Sequence, residues 1–192
     1  MKLLPLVLFA WLAFSLEMGL KEALTLGGGG IAPSFVLVLM TWVALGASPQ
    51  TALWTAIALG AGMDLASPRP FGDGNGGGAA AVVFGPYALG YLLAAQLTLT
   101  LRGVMFRRSP YTLALLTVLT GLVSGAVVVS LLFVRSMYEP LDIHATAELL
   151  RRSGGALYSG GAALVLSPVL LALNSTMGFH QVKYAVRPSG RF

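Results

Sequence analysis

Ala56 to Phe71 reads A-I-A-L-G-A-G-M-D-L-A-S-P-R-P-F, and the rest of the chain can be placed relative to it. The stretch opens as an apolar helical run with glycines at Gly60 and Gly62. It then places a single carboxylate, Asp64, before Leu65, and stops at the helix-breaking Pro68 and Pro70. An acid at the end of an otherwise uncharged apolar segment is costly inside a bilayer unless it is paired or lies near the headgroups. Counted at ~1.5 Å per residue from the turn at Ser48-Pro49, Asp64 lies roughly 22 Å along the helix. That is the far third of a hydrocarbon layer ~30 Å thick. Two readings stay open: Asp64 pairs with Arg69 or with arginines of the outer loop, or it sits among headgroups.

Composition supports the bilayer setting. The 192 residues are 56% hydrophobic and 10% charged, and the mean hydropathy is +0.81. A soluble domain carries about 25% charged residues, so this chain cannot cover itself with a solvated surface. The pI near 9.9 does not indicate nucleic acid. The basic residues stand at the ends of apolar segments and form no stripe with interleaved aromatics. The absence of cysteine excludes disulfides, thiolate metal sites and a cysteine nucleophile.

Six apolar spans follow, at residues 3–20, 31–45, 51–65, 79–101, 111–134 and 155–173, forming a single all-α transmembrane bundle. The first follows Lys2 and carries no clean small-x-small cleavage site, so it reads as a retained span and not a signal peptide. Pro33 is accommodated in the first turn of the second span. The short turn Gly46-Ala-Ser-Pro-Gln50 makes spans two and three an antiparallel hairpin. Pro68 to Gly78 is an irregular glycine-rich loop. Its D-G-N resembles a fragment of a calcium loop but lacks the later acidic ligand. The fourth span begins at Ala79, bends gently at Gly85-Pro86 and carries Gln96, which either hydrogen-bonds a neighbouring helix or lines a cavity. Between spans five and six, residues 142–152 read as a separate amphipathic helix on the outer surface. Ile143, Ala147 and Leu150 form its apolar face, and His144, Glu148, Arg151 and Arg152 face away. It either caps the bundle or docks a partner.

Charge sets the orientation. With six spans and both termini on one side, that side receives Lys2, Arg102, Arg107, Arg108, Lys183, Arg187 and Arg191 and no acid. The other side receives the remaining five basic residues and all seven acids, Glu17, Glu22, Asp64, Asp73, Glu139, Asp142 and Glu148. The positive-inside rule places both termini in the cytoplasm.

No catalytic set emerges. Ser124, in Gly121-x-x-Ser124-Gly125, falls mid-span, and His144 and His180 lie on opposite sides of the membrane, so a serine nucleophile lacks a base. The small residues at that spacing, and Gly155, Ser159 and Ala163 four apart in span six, read as helix-packing faces. No window supplies the three or four converging His, Asp or Glu ligands of a metal hydrolase. Asp64 with Asp73 is too few carboxylates for a lipid phosphotransferase. No cofactor is expected. Glu17 reads as an interfacial structural residue one turn from Lys21.

The pattern resembles the MreD family of bacterial rod shape-determining membrane proteins. Four stretches carry the resemblance: Pro33 before Phe35-Val-Leu-Val-Leu-Met40; Gly60-Ala-Gly-Met-Asp64-Leu65 with Ser67-Pro68; Gly85-Pro-Tyr-Ala-Leu-Gly-Tyr91 followed by Arg102; and Ala156-Leu-Tyr158 opening the last span. The chain departs from the family at Ser34, where an acid often follows the proline, and in the inserted Gly72 to Gly78. The resemblance implies a non-enzymatic scaffold of the cell-elongation machinery in the bacterial inner membrane. Such a scaffold binds the periplasmic protein MreC and acts with MreB and the peptidoglycan synthase and transpeptidase. It also implies a fold similar to the substrate-binding subunits of energy-coupling-factor vitamin transporters. A vitamin-binding subunit is therefore the competing expectation, with Trp54, Asp64, Tyr87 and Tyr91 as cavity candidates.

Overall fold

The computed structural model describes residues 3–26, 30–67, 69–70, 80–81, 84–103, 109–138 and 145–173. Among them are six helices: α1 Leu3–Leu20, α2 Phe35–Gly46, α3 Pro49–Ala66, α4 Pro86–Leu101, α5 Pro110–Ser136 and α6 Ala145–Ala172. Two dipeptides, β1 Arg69–Pro70 and β2 Ala80–Ala81, pair antiparallel with Arg69 opposite Ala81. Among the described residues the regular structure is helical apart from this minimal ladder and a single bridge between Leu26 and Ile31. The glycine-rich stretch Gly72 to Gly78, His144, His180, Arg107, Arg108, Glu139, Asp142 and the basic tail lie outside the described residues.

The centre of the fold is α2. Its residues from Val36 to Leu45 are all buried, so it is apolar all round, the pattern of a helix enclosed by others. It packs against each of the other five helices. At about 1.5 Å per residue its 12 residues span only about 18 Å, so both its ends stop inside the bundle. α3–α4 and α5–α6 form the most extensively packed pairs. α1 lies against α2 with Phe9 edge-on to Trp42 (6.4 Å between ring centres). Two helices, Pro110–Ser136 and Thr146–Ala172, are each long and apolar enough to cross a membrane on their own.

Local chemistry explains the boundaries. α2 begins at Phe35 because Ser34 caps it, its Oγ accepting from the Leu37 N–H at 3.3 Å. Pro33 therefore precedes the helix and does not occupy its first turn, which corrects the expected start. α3 starts at a Ser48 cap with Pro49 in the first turn, where a missing N–H costs nothing. The fourth helix corrects the sequence reading more substantially. Residues 80–81 are extended, and α4 begins only at Pro86, after Gly85 at φ +122°. That left-handed backbone suits glycine alone, and the proline then presets the helical φ. Gly85-Pro86 is thus a helix start and not a bend within a span.

The separate surface helix is also corrected. Residues 145–172 form one continuous helix of 28 residues, about 42 Å long. Its first turns are rotated relative to the expected face: Leu150 is 74% exposed, while Arg152 turns inward. Near its far end Pro168 removes the N–H that would bond the carbonyl of Leu164, and the Ser167 hydroxyl donates there instead at 2.8 Å. Gln96 faces outward from α4, and among the described residues it neither bonds a neighbouring helix nor lines the cavity at the start of α2.

Candidate functional site

Three ionisable side chains meet helix ends. A helix leaves its first N–H groups and last C=O groups without internal partners, and a buried end must find acceptors or donors elsewhere. At the N-terminus of α2 the acceptor comes from α1. Glu17, 6% exposed, takes the N–H of Phe35 at 2.6 Å and of Val36 at 3.3 Å on its Oε2. The N–H of Ser34 donates to Ser159 Oγ on α6 at 2.8 Å, and that hydroxyl donates in turn to the Gly155 carbonyl. At the C-terminus of α2 the donor comes from the end of α4. Arg102 Nη1 reaches the carbonyls of Ala47 at 2.7 Å and Ala44 at 3.3 Å. Negative charge at an N-terminus and positive charge at a C-terminus both oppose the helix dipole.

Asp64 does the same for α4. It is 2% exposed, and its two oxygens accept from the N–H groups of Gly85 (2.9 Å), Tyr87 (2.9 Å) and Ala88 (3.1 Å). At 2% exposure Asp64 does not sit among headgroups, and Arg151 and Arg152 take Glu148 instead; the Arg69 side chain lies outside the described residues. Gly60 stands one turn earlier on the same face of α3. A Cβ there would fall 2.5 Å from the Tyr87 carbonyl oxygen and 2.6 Å from Ala88 Cα. The Gly-x-x-x-Asp spacing therefore has one physical purpose. The glycine lets α3 touch the start of α4, and the carboxylate satisfies the N–H groups exposed there. Gly62 faces α1 instead, where a Cβ would meet the Phe14 ring. Leu65 is 62% exposed on the outside.

Glu17 also belongs to a cavity of about 140 Å³ that opens at this end of the bundle. It lies among the C-terminal ends of α1 and α3, the N-terminal ends of α2, α4 and α6, and the middle of α5. Pro33, Tyr91, Glu17, Ser124 and Ser159 are among its lining. Arg152 closes one side. Its guanidinium lies 5.1 Å from the centre of the Tyr87 ring, Nη1 donates to the Tyr87 hydroxyl at 3.0 Å, and Nε donates to Glu148 at 2.9 Å. Arg151 holds the same Glu148 through Nε and Nη2. Tyr87 meets the buried Tyr91 edge-to-face at 6.2 Å.

The residues singled out from sequence thus divide among several places. Pro33 and Tyr91 reach the cavity, Gly60 and Asp64 join α3 to α4, and Arg102 works at the opposite end. Tyr158 is half-buried on α6 outside the cavity lining, and Trp54 is 66% exposed near the start of α3. Of the four cavity candidates, only the two tyrosines line it. The sequence pattern puts Arg152 on the solvent face, yet its i,i+4 spacing from Glu148 signals that the two act as a pair. Gly121 and Ser124 lie in close helix contacts. A Cβ on Gly121 would press on Ala156 and Leu37, and one on Gly90 would come within 2.9 Å of Ser124 Oγ. Among the described residues no group of three or more His, Cys, Asp or Glu could hold a metal ion.

Comparison with known proteins gives no match: no family model, no curated protein and no solved structure resembles the chain closely enough to assign it.

Proposed function

We propose that the chain is a six-helix protein of the bacterial inner membrane, both termini cytoplasmic, acting as a non-enzymatic scaffold of the cell-elongation machinery in the manner of the MreD family. The observation that carries the membrane setting is the outward surface. Leu4 and Trp11 on α1, Trp54 on α3, Tyr111 on α5 and Val165 on α6 are 66–77% exposed. Apolar faces on so many sides suit hydrocarbon and not water. The short α2 fits the same setting. A helix end at membrane depth is tolerated only where protein satisfies its backbone groups, and Glu17 and Arg102 do that.

The scaffold role is supported by how the buried charges are used. Glu17, Asp64 and Arg102 are each committed to helix ends, so they fix the shape of the bundle and are not free for proton transfer. In this reading the exposed apolar faces receive the transmembrane segments of an MreC-like partner and the wall synthase. A second reading, a vitamin-binding subunit of an energy-coupling-factor transporter, is favoured by the cavity between Tyr87, Tyr91 and Arg152. Its volume of about 140 Å³ is below the ~300–1,000 Å³ of most pockets for drug-sized ligands, which places this reading second.

A mild-detergent pull-down of the tagged chain from its own cells, with mass spectrometry of proteins and small molecules, separates the two. Recovery of MreC and the wall synthase supports the scaffold. Recovery of an ATPase pair with a transmembrane coupling subunit, or of a bound vitamin, overturns it in favour of the transporter subunit.

A further inference from the structure

The lining of the cavity carries more cations than carboxylates. Lys21, Arg151 and Arg152 all line it. The carboxylates beside them are already engaged. Glu17 serves the two N–H groups at the start of α2, so its charge is set against that helix dipole. Glu148 is shared by both arginines, with Arg151 Nη2 at 2.8 Å and Arg152 Nη2 at 2.9 Å. Three cations thus face two carboxylates, Glu17 and Glu148, a formal surplus of one.

Arg152 is also prepared for a further acceptor. Its side chain is 13% exposed, stacked on Tyr87 and fixed by Glu148. A guanidinium has five N–H donors. Nε and one N–H of Nη2 go to Glu148 and one N–H of Nη1 goes to Tyr87, leaving two. The Tyr87 hydroxyl, which accepts from Arg152, keeps its own proton to donate. A planar guanidinium held by a ring face and a carboxylate edge matches the tetrahedral oxygens of a phosphate better than a flexible ammonium does.

We propose that this cavity binds a phosphate-bearing ligand through Arg151, Arg152, Lys21 and the Tyr87 hydroxyl. The phosphate belongs to a phospholipid headgroup or to a free phosphate solute. A volume of about 140 Å³ corresponds to four or five waters at ~30 Å³ each, enough for a phosphoryl group and too small for a bulky organic ligand. The inference goes beyond the scaffold reading and stands or falls independently of the protein partners.

The test uses the full chain purified in a neutral detergent and stripped of lipid. Inorganic phosphate is titrated calorimetrically, and retention of phosphatidylglycerol against phosphatidylcholine is followed by native mass spectrometry. Selective retention of phosphatidylglycerol supports the headgroup source, and saturable phosphate binding without lipid selectivity supports the free solute. In either case Arg151→Gln and Arg152→Gln should each weaken binding roughly ten- to a hundredfold, as expected for the loss of a charged hydrogen bond. Arg151, with its side chain 47% exposed, keeps the test decisive where Arg152→Gln fails to fold. Arg135→Gln makes the same charge change on α5 outside the cavity lining and should leave binding unchanged. Binding of neither probe, or an equal loss from Arg135→Gln, overturns the proposal.

Discussion

Replacing Asp64 by alanine tests the central packing argument most directly. The substitution leaves insertion of the chain intact but removes the acceptor for three N–H groups at the start of α4, those of Gly85, Tyr87 and Ala88. A hydrogen bond to a charged group contributes about 1.5–3 kcal/mol. The three bonds share one carboxylate, and deleting it also relieves the cost of burying a charge at 2% exposure, so they do not add. Removing one partner of a buried charged contact costs about 3–5 kcal/mol, and we expect the lower part of that range. At roughly 2–4 °C per kcal/mol for a chain of this size, the melting temperature in detergent should fall by about 10 °C. Asp64→Asn keeps one acceptor oxygen without the charge and should lose about half as much. Leu65→Ala, next in sequence but 62% exposed, should stay within ~0.5 kcal/mol. Hydrogen exchange locates the effect, since the amides of Tyr87 and Ala88 should exchange faster only in the Asp64 variants. A melting temperature for Asp64→Ala within ~2 °C of the parent, with those amides still protected, would refute the reasoning.

Gly60→Ala should destabilise by about 1–3 kcal/mol, because the added methyl overpacks the α3–α4 contact. Combined with Asp64→Ala it should cost less than the sum of the two, since both act on the same contact, and a double-mutant cycle measured by thermal unfolding checks this. Glu17→Gln and Arg102→Gln act on opposite ends of α2 and share no partner, so each should destabilise by about 1–3 kcal/mol and the pair should be additive. A reporter fused after Phe192 should be active only on the cytoplasmic side; activity confined to the outside would overturn the orientation read from charge.

The apolar runs separated by Ser48-Pro49, Gly85-Pro86 and Ser109-Pro110 already state that the chain is helical, and local capping chemistry sets most starts within a few residues. Where the reading of Gly85-Pro86 as a bend failed, the deciding fact was the φ of +122° at Gly85. The Gly60 to Asp64 spacing was recognisable as a motif, but its partner was not. Asp64 was weighed against arginines and headgroups, the partners a sequence advertises, and it took backbone N–H groups 21–24 residues away. Every residue carries the same N–H, so no side-chain pattern reveals which ones need an acceptor.

Sequence by itself therefore determined the helical class, the apolar surface and the positions of the scarce charges, because each follows from local periodicity and composition. The tertiary structure alone decided what those charges do. It enclosed α2, brought Glu17 to its start and Arg102 to its end across 58 residues from Ala44, and turned Arg152 inward onto Tyr87. The physical reason is that the need for a partner arises only when a helix end is buried, and burial is a property of the packed bundle.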